Sequence, residues 1–233
     1  MSHLLLWIGS TGVLPPPVGY LKRLRDICTK NGIILIFDEV ITGFGRLGAS
    51  FAADKFDVTP DMITCAKGLT NGVVPAGAVI CREGLYSTLL ESAEREGKGS
   101  HIEFFHGYTY SGHPLAMAAG LATLEIYKEQ DLFHRADKLA PYFQEALHSL
   151  KGLPNVVDIR NCGLMGAVEF TPIAGVPTKR AQDIFDRCFQ KGTFVRPTGS
   201  TIAMSPPLVF EEKDVDRLVN TLAESIIESS KHL

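Results

Sequence analysis

No C-x-x-C pair, no long apolar run and no excess of basic charge occur in this 233-residue sequence, and each absence narrows what the chain can be. The five cysteines, Cys28, Cys65, Cys81, Cys162 and Cys188, are scattered and lie mostly within apolar segments. They suit small buried side chains, so neither a disulfide framework nor a zinc site is expected, and a reducing, cytoplasmic setting is the default. The longest apolar opening, Leu4-Leu5-Leu6-Trp7-Ile8, is far shorter than a bilayer span and lacks a cationic lead and a small-residue cleavage site. Neither export nor membrane insertion is predicted from it. With 23 Lys and Arg against 26 Asp and Glu, the net charge is −3, and no overall basic field exists to hold nucleic acid or an anionic membrane. Internal repeats and low-complexity segments are absent too. What remains is 45% hydrophobic and 21% charged, the balance of a folded globular protein. The length suits one large domain or two small ones.

The apolar pattern predicts α/β organisation in the first half. Tyr20 to Cys28 carries its apolar residues at helical spacing and stops at Asn31-Gly32. Ile33-Ile34-Leu35-Ile36-Phe37 then runs without polar interruption, as a strand buried on both faces of a parallel sheet does, and ends in Asp38-Glu39. Met62 to Ala66 and Ala76 to Cys81 read as further strands of that sheet. The polar stretch Glu91 to Ser100 reads as a surface loop. Helices are predicted from Pro114 to Lys128 and from Leu132 to Leu150. Beyond Pro154 the pattern changes to short strands (156–160, 164–170, 202–204) and helices (179–191, 212–229), an α+β layout. The predicted domains are 1–125 and 126–233.

Two constellations carry candidate chemistry. Gly43-Phe44-Gly45-Arg46-Leu47-Gly48 fits the G-x-G-x-x-G dinucleotide fingerprint. Yet Asp38 to Thr42 separate it from the strand, Pro60 limits any following helix, and Lys67 stands where an acid is wanted for the ribose. The second constellation is Asp38 and Lys67, each at the end of a predicted strand, where open α/β sheets place their ligands. Charges at such apolar addresses are costly unless paired, so one reading is a structural ion pair. In the other, both serve one cofactor. A lysine amine can form a Schiff base with an aldehyde, and a carboxylate can keep a pyridinium nitrogen protonated as an electron sink. Pyridoxal 5'-phosphate asks for both.

Ile36 to Arg46, Thr64-Cys65-Ala66-Lys67-Gly68-Leu69-Thr70-Asn71-Gly72, and His106-Gly107-Tyr108-Thr109-Tyr110-Ser111-Gly112-His113-Pro114 resemble, in order and spacing, the three signatures of class III pyridoxal-phosphate aminotransferases. The resemblance runs from about Gly9 to the C-terminus. It implies a fold-type-I PLP-transferase-like α/β fold, with part of the large domain and its mainly parallel sheet followed by an α+β small domain. By position it implies that Lys67 holds the cofactor and shuttles a proton, that Asp38 contacts the pyridine nitrogen, and that Val40 packs on the ring. It also implies that Thr109 reaches the cofactor phosphate of a neighbouring subunit in a homodimer with shared active sites, and that Tyr108 lines the partner's substrate pocket. His106 and His113 are expected to hydrogen-bond within their loop. Phe194-Val195-Arg196-Pro197 with Ser205-Pro206-Pro207-Leu208 is similar to the tail of amine or ω-amino-acid:pyruvate transaminases, which makes Arg196 the substrate-carboxylate clamp, a planar bidentate task suited to guanidinium. Ile41, where the γ-aminobutyrate and ornithine branches carry glutamine, favours the same branch.

Members of that family are roughly twice this length. Their N-terminal half supplies the helix N-terminus that cradles the phosphate, an aromatic residue on the ring's other face, and several strands. No phosphate-cradling sequence occurs in this chain. Each charge-assisted hydrogen bond of the cradle is worth about 1.5–3 kcal/mol, so the chain by itself is expected to hold the cofactor weakly and to expose sheet edges and apolar surface. The expected function is transfer of an amino group from a primary amine or ω-amino acid to a 2-oxo acid such as pyruvate. The alternatives are a non-catalytic remnant that acts by association, and a nicotinamide-dependent oxidoreductase using Gly43, Gly45 and Gly48.

Overall fold

A computed structural model of the chain describes residues 2–4, 12–95, 97 and 107–233. Its first sheet has the order β1 (Ser2–Leu4), β2 (Leu35–Asp38), β3 (Met62–Cys65), β4 (Ala78–Cys81). The first three strands run parallel and β4 pairs antiparallel with β3. The uninterrupted apolar run before Asp38 is a buried strand, although it starts two residues later than its composition predicts. Ile33 and Ile34 instead bring the chain out of helix α1 (Tyr20–Lys30), where the Ile33 amide donates to Cys28 O.

One carboxylate ties the start of this sheet together. Asp61 accepts hydrogen bonds from the Leu35 amide (2.7 Å), Arg25 Nη1 (2.7 Å) and Arg82 Nη1 (2.9 Å). Burial by itself would raise the Asp61 pKa, but these three donors outweigh it and hold the carboxyl below its ordinary value.

The polar stretch predicted as a loop from Glu91 belongs, up to Arg95, to helix α3 (Glu83–Arg95). Its charges form the solvent side of an amphipathic pattern in which Leu85, Leu90 and Ala93 are half-buried. The remainder of that stretch, except Gly97, lies outside the described residues, as does His106. Helix α4 (Pro114–Glu129) begins where proline at the first turn predicts, with His113 Nδ1 accepting from the Leu115 amide.

The second sheet is antiparallel, with order β5 (Val156–Cys162), β6 (Met165–Phe170), β8 (Thr201–Met204), β7 (Arg196–Thr198). Strand β7 goes beyond the predicted elements. Helices α5 (Leu132–His148), α6 (Lys179–Gln190) and α7 (Glu212–Ser230) supply the core on one face, where Phe143, Leu147, Ile184 and Leu222 meet Val168, Phe170 and Ile202. On the other face Met165, Ala167 and Ala203 join the cluster of Leu35, Phe37 and Leu47 from the first sheet and the loop after it. Alternate residues thus serve two different cores, and for that reason β6 and β8 lack a polar face.

The seam between the sheets is close. A β-carbon at Gly163 would lie 2.4 Å from Leu47 Cα. Arg160 straps across it, donating to the carbonyls of Gly12 and Val13 while pairing with Asp158 and Glu169.

Candidate active site

Strands β2 and β3 lie side by side, with Asp38 opposite Thr64, so their carboxyl ends open at one level. The chain leaves β2 in a tight turn in which Asp38 Oδ1 accepts the Val40 amide at 3.1 Å. Glu39 next to it is completely buried. Its carboxylate accepts Thr42 Oγ1 (2.7 Å) and the amides of Ala52 (2.7 Å) and Ala53 (2.8 Å), at the start of the short helix α2 (Ala52–Lys55). Burial pushes the Glu39 carboxyl above its ordinary pKa, and these hydrogen bonds oppose the rise. Its backbone is pinned as well: its amide donates to Thr64 O and its carbonyl accepts the Gly43 amide. Glu39 therefore fixes the turn that presents Asp38 and Val40.

The three fingerprint glycines have a packing explanation. A β-carbon would fall 3.2 Å from Phe51 at Gly43, 2.4 Å from Phe133 at Gly45 and 2.6 Å from Asp137 at Gly48. No helix opens at the last glycine; the segment is a loop pressed against α5.

Strand β3 ends at Cys65, and Lys67 opens a single 3₁₀ turn (Lys67–Leu69) with φ +45°, in the left-handed region. Tyr127 of α4 secures this turn by donating from its hydroxyl to Gly68 O (2.8 Å), and a β-carbon at Gly68 would meet Phe44 Cβ at 2.8 Å. Val13 (φ +54°), Phe44 (+59°) and Asn71 (+50°) share the left-handed conformation, and all four residues line one cavity. Backbone strain of that kind concentrates where function demands it.

That cavity, about 470 Å³, lies on the seam between the sheets. Lys67, Val40 and Arg196 all line it, so residues from three separate stretches of sequence converge. Arg46 lines it too, and among the described residues no acidic side chain does. Asp38, at the end of β2, is not among the cavity's lining residues. Among the described residues it forms no ion pair with Lys67; the one hydrogen bond of its side chain is the turn to Val40. Tyr108 and Thr109 are not brought to the cavity. They sit in the exposed turn before α4, Tyr108 being 78% exposed, with the Tyr108 amide donating to Ser111 Oγ. Glu39, Arg46 and Tyr127 were not predicted as site residues. Glu39 and Arg46 lie within the first signature, whereas nothing local distinguishes Tyr127 from its helix neighbours.

The family model described as aminotransferase class-III matches residues 8–226. The chain belongs to the class-III aminotransferases. This class-III chain is 56% identical over 214 residues to the omega-aminotransferase of Caulobacter vibrioides, an alignment that covers 92% of this chain and 48% of that protein. It is 48% identical over 218 residues to the beta-alanine–pyruvate aminotransferase of Pseudomonas aeruginosa, covering 94% of this chain and 48% of that protein. Among solved structures, a transaminase from a directed-evolution and ancestral-reconstruction project aligns with a TM-score of 0.91 at 32% identity, over 99% of this chain and 51% of the other. A transaminase from the marine bacterium Virgibacillus aligns with a TM-score of 0.87 at 34% identity, over 99% of this chain and 53% of the other. The class-III chain thus spans about half the length of the curated relatives it matches.

Proposed function

We propose that this chain carries the lysine-bearing part of a transaminase that moves an amino group from an ω-amino acid or primary amine to a 2-oxo acid such as pyruvate. The observation that carries the proposal is the convergence of Lys67, Val40 and Arg196 on one cavity at the carboxyl ends of β2 and β3. Two of the relatives named above support it, one named an omega-aminotransferase and the other a beta-alanine–pyruvate aminotransferase.

The class implies pyridoxal 5'-phosphate, and the donor set fits one side of that group. Lys67 has no partner among the described residues to occupy its amine, and Asp38 has a carboxylate oxygen to spare beyond its turn. When bound, the cofactor supplies an aldehyde and a pyridinium ring that accepts electrons from the carbon being deaminated. Lys67 Nζ would anchor it and, once displaced, take the proton from the donor carbon and return it to the other side of the exchange. Asp38 would hold a negative charge against the ring nitrogen, and Val40 would limit the ring's tilt. Arg196 would grip a substrate carboxylate with two parallel N–H donors. Thr109 and Tyr108, displayed on the surface, suit contact with a neighbouring subunit's site in a homodimer. We place the boundary between large and small domains near residue 125.

The test is chemical trapping. Chain incubated with pyridoxal 5'-phosphate and reduced with borohydride should carry the label on Lys67, as mapped by peptide mass spectrometry, and Lys67→Ala should carry none there. Labelling spread evenly over the other lysines would overturn the assignment. A second reading, a remnant that acts only by association, draws on the exposed apolar side chains of β4 and α4; it predicts no saturable label at all.

A further inference from the structure

Arg46 is unlike the other arginines at the seam. Its Nη1 donates to Leu164 O at 3.3 Å and to Pro206 O, and its own carbonyl accepts the Leu164 amide at 3.0 Å. Arg160, which crosses the same seam, is neutralised by Asp158 and Glu169. Arg46 has no carboxylate partner among the described residues. Burial pulls its pKa down and the neighbouring Tyr127 phenol pulls it up, with no acid contributing. A guanidinium stays charged in proteins and offers five N–H donors, so one largely buried and answered only by two carbonyls has donors to spare. Among the described residues, the wall that it shares with Lys67 and Arg196 holds three cations and no anion.

The chemistry of the proposed reaction supplies a use for a second cation. The carboxylate of an ω-amino acid is remote from the carbon that bears nitrogen, whereas the carboxylate of a 2-oxo acid is adjacent to the reacting carbon. Both substrates visit the same lysine in turn, so their carboxylates fall at two different places in one cavity. We propose that Arg46 is a second carboxylate anchor, and that Arg46 and Arg196 divide the two positions between them, one serving the amino acid and the other the 2-oxo acid. This rests on the cavity being the transamination site.

The experiment is titration of the chain and of its Arg46→Gln, Arg46→Lys and Arg196→Gln variants with three probes, each against the cofactor form that it meets: pyruvate with the pyridoxamine-phosphate-loaded protein, 5-aminopentanoate and the carboxylate-free butylamine with the pyridoxal-phosphate-loaded one. Arg46→Gln should weaken one carboxylate probe at least tenfold and leave the other, and butylamine, within about twofold. Arg196→Gln should show the complementary pattern. Arg46→Lys, which keeps the charge but not the fork, should fall between wild type and Arg46→Gln, and it stands in if Arg46→Gln fails to fold. Equal weakening of all three probes, or of none, would make Arg46 a purely structural strap, and failure of the unsubstituted chain to bind either carboxylate would overturn both anchors. Borohydride trapping at Lys67 on the same samples separates the two claims. Trapping retained with no selective loss overturns the anchor and leaves the transaminase reading intact; trapping lost in the unsubstituted chain overturns that reading itself.

Discussion

All four residues of β8 and five of the six in β6 are buried, whereas all four residues of β4 are exposed. The C-terminal sheet is covered by α5, α6 and α7 on one face and by the first sheet's loops on the other. The outer part of the N-terminal sheet has no such second layer within the described residues. Helix α4 shows the same imbalance, with Leu115 61%, Leu121 64% and Leu124 45% exposed although the helix is apolar nearly all round. A helix of that composition is built for burial, and exposed apolar surface of this kind marks a place where something else packs. Among the described residues, one half of the chain completes its own core and the other does not. The cavity lies on the line between them.

The contrast can be broken most directly by paired truncations. Phe143→Ala, in the finished core, should cost about 3–5 kcal/mol by urea unfolding. Leu121→Ala, an equally apolar loss on α4, should cost less than about 0.5 kcal/mol. Similar costs at the two sites would mean that α4 is covered in solution. A smaller effect tests what holds the open sheet in place of an apolar layer. The Asp61 carboxyl is held below its ordinary value of 3.8, so its contribution to stability is complete above that pH and is lost as pH falls through the lowered pKa. Asp61→Asn should therefore cost about 1.5–3 kcal/mol at neutral pH, and the gap from wild type should close in acid. Amide exchange should show β2 loosening before β8 as the pH drops. A gap that stays constant with pH would remove Asp61 from that role.

Much of this arrangement was legible in the sequence because it rests on local rules. The run before Asp38 has no polar interruption, so its burial is written in composition, and Pro114 announces α4 as a first-turn proline does. The lysine just past the end of β3 follows from the same logic. Strand β7 was hidden because Arg196-Pro197-Thr198 has neither apolar alternation nor a full set of amide donors; it survives at the sheet edge, the place where proline is tolerated. Helix α3 was hidden under its charges. Glu39 could be seen as a strand-end acid but not as a buried brace, because the Ala52 and Ala53 amides reach it only after the chain folds back. Arg46 likewise gains its meaning from Leu164 and Pro206, more than a hundred residues away.

Lys67 sits at φ +45°, a conformation that glycine adopts freely and that a lysine adopts at a penalty of about 1 kcal/mol or more. Lys67→Gly should accordingly melt at a higher temperature than the parent, or at least no lower, while losing the amine proposed to hold the cofactor. Durability and competence then pull in opposite directions at a single residue. A selection that rewarded ruggedness alone would favour replacing the side chain on which the proposed chemistry depends.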